Sequence, residues 1–134
     1  MSEIRIPVSV GELIDKMTIL EIKSERIIRA GALANVRREL ERLTRIWENS
    51  ALSDQDIELA RNELKSINEA LWDIEDRIRL KEADGAFDEE FVELARSVYA
   101  RNDQRAAIKR RINLETGSEL IEEKSYADST ARGE

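Results

Sequence analysis

Three basic residues in the last third of the chain, Arg101, Arg105 and Lys109, are the side chains best suited to chemistry. They recur every four residues, so on a helix they share one face, with Asn102 beside them. A guanidinium binds carboxylate or phosphate through two parallel hydrogen bonds, so arginines inside a helical protein suit a small anionic ligand. Two structural roles compete with this interpretation: a buried arginine–carboxylate pair that fixes helix register, or arginines that extend outward into solvent. The sequence leaves all three open.

The residue types that are missing limit the chemistry further. The chain of 134 residues contains no histidine and no cysteine, so it offers no imidazole base, no thiolate nucleophile and no ordinary zinc site. Any catalysis would depend on carboxylates, lysine, arginine, tyrosine or hydroxyl groups. The composition therefore favours a protein that is not an enzyme, and no cofactor or metal is expected.

A long central helix, residues 53–83, organises the rest of the chain. Its apolar residues are spaced by three and four positions, which places them on one stripe: Ile57, Ala60, Leu64, Ile67, Leu71, Ile74 and Ile78. Ser53 predicts the N-cap of this helix, and Gly85 predicts its end. Because a helix with a single apolar stripe gains most of its stability from packing, other segments must cover it.

The last helix has a similar stripe with a polar interruption at Arg101, Asn102 and Arg105. Asp88 predicts its N-cap and Gly117 its end. A hairpin folded near residue 86 brings the interruption level with residues 67–76 of the central helix. A buried Arg105 would need a carboxylate, and those within reach are Glu69, Asp73, Asp15 and Glu21. The candidate ligand-binding residues are Arg101, Asn102, Arg105, Lys109, Asn68, Trp72, Asp73, Asp15 and Lys16.

The first 50 residues hold one long helix or two shorter ones. Ser9 and Glu12 form a predicted capping box at the start. One apolar stripe ends before Gly31 and a second begins after it. Because glycine costs about 1 kcal/mol inside a helix, we expect a kink or a break there. Residues 3–8 alternate apolar and polar side chains and include Pro7, which predicts a short extended arm.

Together these elements predict an all-α fold. We expect an antiparallel bundle of three long helices, or four if the first breaks at Gly31, preceded by the extended arm. Residues 1–126 form this single domain, and residues 127–134 form a disordered tail. No apolar run is long enough to span a membrane and no signal-peptide pattern is present, so membrane insertion is not expected and a cytoplasmic location is.

Charge is strongly segregated along the chain, whose formal net charge is −7. Residues 54–93 hold 14 acidic and 5 basic residues, a net charge of −9. The flanking segments are basic: residues 22–53 carry +3 and residues 94–113 carry +5. Basic faces can bind nucleic acid, but here they pair more simply with the acidic central helix. We expect no binding to nucleic acid, because the acidic helix would repel a polyanion.

Several stretches resemble an uncharacterised family of small bacterial all-helical proteins, over nearly the whole chain. They are the run from Ile6 to Leu20 (IPVSVGELIDKMTIL), the central NEALWDIED at residues 68–76, and NDQR at 102–105 followed by EEKSY at 122–126. The resemblance brings no established activity. It implies that some relatives accompany glycosyltransferases of cell-surface polysaccharides.

The architecture is also similar to that of the all-helical chorismate mutases, which bind a dicarboxylate among arginines and a lysine inside long helices. Arg101, Arg105 and Lys109 would have to serve this purpose here. The first helix lacks the leading arginine and the two-acid spacing of those enzymes, so the similarity is one of architecture alone.

The favoured function is a non-enzymatic protein-interaction or accessory module that acts as a homodimer or with another protein partner. The side chains expected to need cover from a second subunit are Trp47, Trp72, Leu59 and Leu80. The alternative is a small-anion-binding helical bundle, such as a chorismate-mutase-like isomerase. If Arg101 and Arg105 point outward or are tightly paired, the interaction module is favoured. If their side chains converge on a cavity, the ligand site is favoured.

Overall fold

Four α-helices form the computed structural model, which describes residues 2–126. Helix α1 spans Val10–Arg26, α2 spans Ala30–Glu48, α3 spans Glu58–Ala83 and α4 spans Glu89–Thr116. No strand occurs among residues 2–126, which confirms the predicted all-α class. The predicted disordered tail, residues 127–134, lies outside the described residues. Within residues 2–126, every helix is too short or too polar to cross a membrane.

Side-chain caps begin two of the helices where the sequence predicts them. The Ser9 hydroxyl accepts a hydrogen bond from the backbone N–H of Glu12 at 3.1 Å, at the start of α1. Asp88 does the same for the N–H of Phe91 at 3.0 Å, at the start of α4. Helix α4 ends at Gly117, whose φ of 70° lies in the left-handed region that favours glycine.

The predicted start of the central helix at Ser53 is wrong, because α3 begins at Glu58. The Ser53 hydroxyl instead donates to the carbonyl oxygens of Glu48 and Ser50, at 3.1 and 2.8 Å, and so closes the turn that follows α2. Serine offers its hydroxyl to a turn as readily as to a helix end, so local sequence does not separate the two uses.

The first helical stretch is interrupted before Gly31. Ile27 and Arg29 are both extended, with ψ angles of 131° and 121°, and they separate α1 from α2. Gly31 itself lies in the first turn of α2, where an added Cβ would meet nothing within 4 Å. The chain therefore turns at Ile27–Arg29 rather than at the glycine.

Helix α1 lies at the centre and packs against α2, α3 and α4. Four apolar side chains with 0% exposure form the middle of the core: Ile14, Met17, Leu64 and Ile112. Burial of each contributes about 1.5–3 kcal/mol. Trp47 of α2 closes one side of this core at 9% exposure, so the expectation that it needs cover from a second subunit is wrong.

Helices α3 and α4 form a long hairpin that extends beyond the core. Ion pairs link Glu63 to Arg111 at 3.0 Å near its base and Lys81 to Asp88 at 2.8 Å near its tip. Helix α1 ends at Arg26 and covers only the basal part. None of residues 69–107 is buried. We call residues 74–101 the distal hairpin.

Candidate functional site

The most buried charged residue among residues 2–126 is Asp15 on α1, at 1% exposure. Arg105 on α4 donates from Nε to Asp15 Oδ1 at 2.9 Å and from Nη2 to Asp15 Oδ2. This is the two-pronged geometry in which a guanidinium matches a carboxylate best. Of the four carboxylates that the sequence places within reach of Arg105, the structure selects Asp15.

Asn68 on α3 completes the hydrogen bonding on one side of Asp15. Its Nδ2 donates to Asp15 Oδ1 at 2.9 Å and to Thr18 Oγ1 at 3.0 Å. The Thr18 hydroxyl in turn donates to the backbone carbonyl of Asp15 at 2.8 Å. Thr18 is fully buried and Asn68 is nearly so. One carboxylate thus joins the three helices α1, α3 and α4.

Lys109, one turn after Arg105 on α4, is surrounded by three carboxylates. Its Nζ lies 2.7 Å from Glu12 Oε2, 3.8 Å from Asp15 Oδ2 and 3.2 Å from Glu122 Oε1. Burial acts to lower the pKa of Lys109, but the hydrogen bond from Lys109 to Glu12 and the charges of all three carboxylates together raise it above the ordinary value. Glu12 is therefore used for this ion pair, while Ser9 forms its half of the predicted capping box.

The positive charge of Arg105 is stabilised by a neighbouring carboxylate, as that of Lys109 is. Its hydrogen bonds to Asp15 raise the pKa of the guanidinium further above an already high value, against the opposing effect of burial. Within residues 2–126, no buried side-chain nitrogen or oxygen lacks a hydrogen-bond partner. Both oxygens of Asp15 are engaged, so this carboxylate is placed to hold helices together rather than to move protons.

A close approach of α1 to α4 sets the position of this cluster. A Cβ added to Gly11 would lie 2.5 Å from the carbonyl oxygen of Lys109, so only glycine fits there. The Gly11 N–H donates to Oδ1 of the buried Asn113 at 2.6 Å. The contact fixes how α1 lies along α4 and thereby brings Asp15 opposite Arg105.

Two open grooves border the cluster, and Arg105 and Asn102 line both. The larger groove, of about 1080 Å³, lies between α4 and residues 122–126. The smaller one, of about 490 Å³, lies where α1, α3 and α4 meet. The guanidinium side of Arg105 keeps 30% of its exposure, so water reaches the ion pair from the grooves.

One family profile matches residues 4–132, and its description is that of a family of unknown function, DUF6165. The chain belongs to this family. The predicted membership of an uncharacterised family is thus confirmed. Comparison with curated proteins and with solved structures gives no match.

In this member of the family, the structure brings together five of the nine predicted site residues. They are Asp15, Asn68, Asn102, Arg105 and Lys109, with Asn102 Oδ1 3.5 Å from Arg105 Nη1. The residues 2–126 contain no group of three acidic side chains arranged to hold a metal ion.

Of the other four predicted site residues, Trp72 lines the smaller groove beside Asn68, Asn102 and Arg105, and the remaining three lie elsewhere. Arg101 is exposed and hydrogen bonds to Gln104 at 3.0 Å. Lys16 points away from the cluster to Glu39, 3.6 Å distant across α2. Asp73 and Trp72 both contact Arg26, which lies 2.6 Å from the Asp73 carboxylate and 5.6 Å from the Trp72 ring centroid.

Sequence reasoning missed several residues of the cluster. Gly11 and Glu12 belong to the capping motif, which predicts only the start of a helix. The motif does not predict that Glu12 contacts Lys109, which lies 97 residues later in the sequence. Asn113 and Thr18 carry no signal beyond being polar residues next to apolar stripes. Glu122 lies in a segment that reads as a polar tail.

Proposed function

We propose that the protein is a non-enzymatic interaction or accessory module that acts as a homodimer through its distal hairpin. One observation carries the proposal: the hairpin has an apolar seam, yet none of residues 69–107 is buried. Its half-buried seam consists of Leu71, Ile74, Ile78, Phe91, Leu94 and Val98. Its exposed apolar side chains are Leu80, Phe87, Val92 and Tyr99. Two helices alone leave such a surface in water, and a second pair would cover it.

The polar cluster supports a structural role for the charged residues. Arg105 is tightly paired with Asp15, and Arg101 lies on the surface with Gln104. An isomerase of the chorismate-mutase kind would need Arg101, Arg105 and Lys109 to converge on one ligand. In this arrangement two of the three are already held by carboxylates of the chain itself.

A second copy of the chain is the partner that the charges of α4 favour. Residues 88–93 hold four acidic residues, whereas residues 94–113 hold six basic residues and one acidic residue. Two hairpins that lie side by side in opposite directions about a twofold axis place each acidic tip beside the basic stretch of the other. Val92 and Tyr99, seven residues apart, share the exposed face along which such helices would meet.

Light scattering at micromolar concentration tests the homodimer. We expect a mass of twice the 15.4 kDa chain for the wild type. The double variant Val92→Lys/Tyr99→Lys should be monomeric, because two charges would enter the apolar contact of each subunit. Leu114→Lys is the matched control, since Leu114 is 60% exposed but lies at the opposite end of α4. A monomeric wild type would refute the proposal.

The process that the module serves comes from the resemblance rather than from any contact in the molecule. We propose that it accompanies enzymes of cell-surface polysaccharide synthesis in the bacterial cytoplasm. Purification of the tagged chain from its own cells should then recover a glycosyltransferase. The monomeric Val92→Lys/Tyr99→Lys variant shows whether that association depends on the dimer.

A further inference from the structure

The larger groove is closed on one side by a segment without helical structure, residues 119–126, which we call the C-terminal strap. The opposite wall is the face of α4 that carries Val98, Tyr99 and Ala106 together with Arg105 and Lys109. The groove thus combines a partly apolar floor with basic side chains along one edge. Its volume of about 1080 Å³ is open space that remains with the strap in place, so the strap forms one wall of the groove and its carboxylates cover the basic edge.

The strap is held in this groove by surface ion pairs. Glu122 bridges Lys109 at 3.2 Å and the Ser9 hydroxyl, which donates to it at 3.1 Å. Glu123 lies 3.0 Å from Arg110. The Arg110–Glu123 pair is exposed on both sides, and such pairs contribute about 0–1 kcal/mol and weaken as salt rises. Lys109 is only 14% exposed, but its partner Glu122 is half exposed. The attachment is therefore specific in position and rests on a few ion pairs that water reaches.

Apolar contacts add little to this attachment. Every residue of the strap is exposed, including the apolar Leu120 and Ile121. Immediately before the strap, Ser118 is buried, and its hydroxyl accepts from the Val10 N–H at 3.1 Å. The chain is thus fixed at Ser118, and the strap beyond it can leave the groove without disturbing the core.

We propose that this groove is the docking site for an acidic peptide segment of a partner protein, and that Glu122 and Glu123 occupy it as an internal mimic of that segment. The inference rests on the proposed function as an interaction module and names the chemistry of the partner. Lys109, Arg110 and the Ser9 hydroxyl already hold two consecutive carboxylates of an extended chain. A partner segment with the same two carboxylates would make the same contacts once the strap moves aside.

The competition predicts how affinity depends on the strap. Because the basic edge of the wild-type groove is free only when its own strap has left, the apparent Kd of a peptide equals its intrinsic Kd divided by the fraction of time the strap is away. Neutral glutamines at both strap positions should weaken that competitor while Lys109, Arg110 and Ser9 stay in place. Within residues 2–126, the ion pair that the strap then keeps is the one between Lys124 and Asp103, at 3.0 Å. An acidic peptide should therefore bind the Glu122→Gln/Glu123→Gln variant more tightly than the wild type.

Fluorescence anisotropy with a labelled peptide of residues 118–126 tests this on the full-length chain. We expect the double glutamine variant to bind at least about fivefold more tightly than the wild type. Glu119→Gln is the matched control, since it removes a strap carboxylate that makes no ion pair within residues 2–126, and it should behave as wild type. Adding Arg110→Gln to the double variant should weaken binding about threefold or more, because one exposed cation of the groove is lost.

Three outcomes would overturn the inference. The first is equal affinity for the wild type and the double glutamine variant, and the second is no binding to either at millimolar peptide. The third is displacement of the peptide by an equal concentration of inorganic phosphate, which would assign the groove to small anions. The two failures can be told apart, although Tyr99 lines the groove and also lies on the proposed dimer face. A monomeric wild type that binds the peptide as expected would refute the proposed dimer and leave this inference standing.

Discussion

Replacing Arg105 by methionine is the most direct perturbation of the polar cluster. Methionine keeps much of the length of the side chain and removes its charge and its hydrogen bonds. Asp15 would then be left at 1% exposure with the Asn68 amide at 2.9 Å and the Lys109 ammonium at 3.8 Å. The free energy of unfolding should fall, because a buried carboxylate loses its closest counter-charge.

The magnitude follows from the exposure of the two partners. Breaking a fully buried ion pair by removing one partner costs about 3–5 kcal/mol. Here Arg105 keeps 30% of its exposure and Lys109 remains close, so we expect a smaller loss of about 2–3 kcal/mol for Arg105→Met. In the double variant Asp15→Asn/Arg105→Met, neither partner leaves the other as an unpaired charge. Its loss of unfolding free energy should be smaller than the sum of the losses of the two single variants by at least about 1.5 kcal/mol.

Urea unfolding of the wild type, both single variants and the double variant gives this coupling energy. All four should be measured at one protein concentration, since subunit association would otherwise change the apparent stability. Arg101→Met is the control: it removes an arginine one turn earlier that is bound only to Gln104, and it should change stability by less than about 0.5 kcal/mol. Losses at Asp15 and Arg105 that add within about 0.5 kcal/mol would refute the pairing.

Two further outcomes follow from other contacts. Gly11→Ala should lower the free energy of unfolding in urea by about 3 kcal/mol, because the added Cβ would lie 2.5 Å from the Lys109 carbonyl oxygen. Gly31→Ala is the control: its Cβ would meet nothing within 4 Å, so it should stabilise α2 by up to about 1 kcal/mol. Equal effects of the two variants would contradict the close approach of α1 to α4. The hydrogen bond and charge of Arg42, with a further hydrogen bond from Arg5, lower the pKa of Glu3 to about 2, so the contribution of these pairs is present above the ordinary value of 4.5 and is lost as pH falls toward 2. An NMR titration of the Glu3 carboxyl should show this midpoint, and Arg42→Gln should move it up toward the ordinary value.

Much of the fold could be predicted from the sequence, because helix periodicity and caps are local signals. The stripes of three- and four-residue spacing identify the helices, and Asp88 marks the start of α4. The start of α3 could not be found in this way, since Ser53 is equally suited to a turn. The apolar pattern predicts that Trp47 needs cover from a second subunit, yet it fills the side of the core that α2 closes.

The sequence predicts that Arg105 belongs to a polar site, but it does not predict which residues contact it. A polar interruption in the stripe of α4 indicates that Arg105 meets something charged. The choice of Asp15 over the other carboxylates depends on how α1 lies along α4. That position is set by the backbone contact at Gly11, which involves residues 98 positions apart and leaves no periodic trace in the sequence. Glu122 was missed for the same reason, since its contacts with Ser9 and Lys109 exist only after the bundle has formed.

The central place of α1 has a consequence for how the chain is made. Asp15 leaves the ribosome early, but Arg105 follows 90 residues later. At about 5–20 residues per second, roughly 5–18 s pass before the guanidinium is synthesised. During that interval α2 and then α3 can pack against α1, but the side of Asp15 that meets α4 stays open. A nascent chain halted before residue 105 should therefore be a substrate for chaperones and proteases, whereas the released full-length chain should resist them.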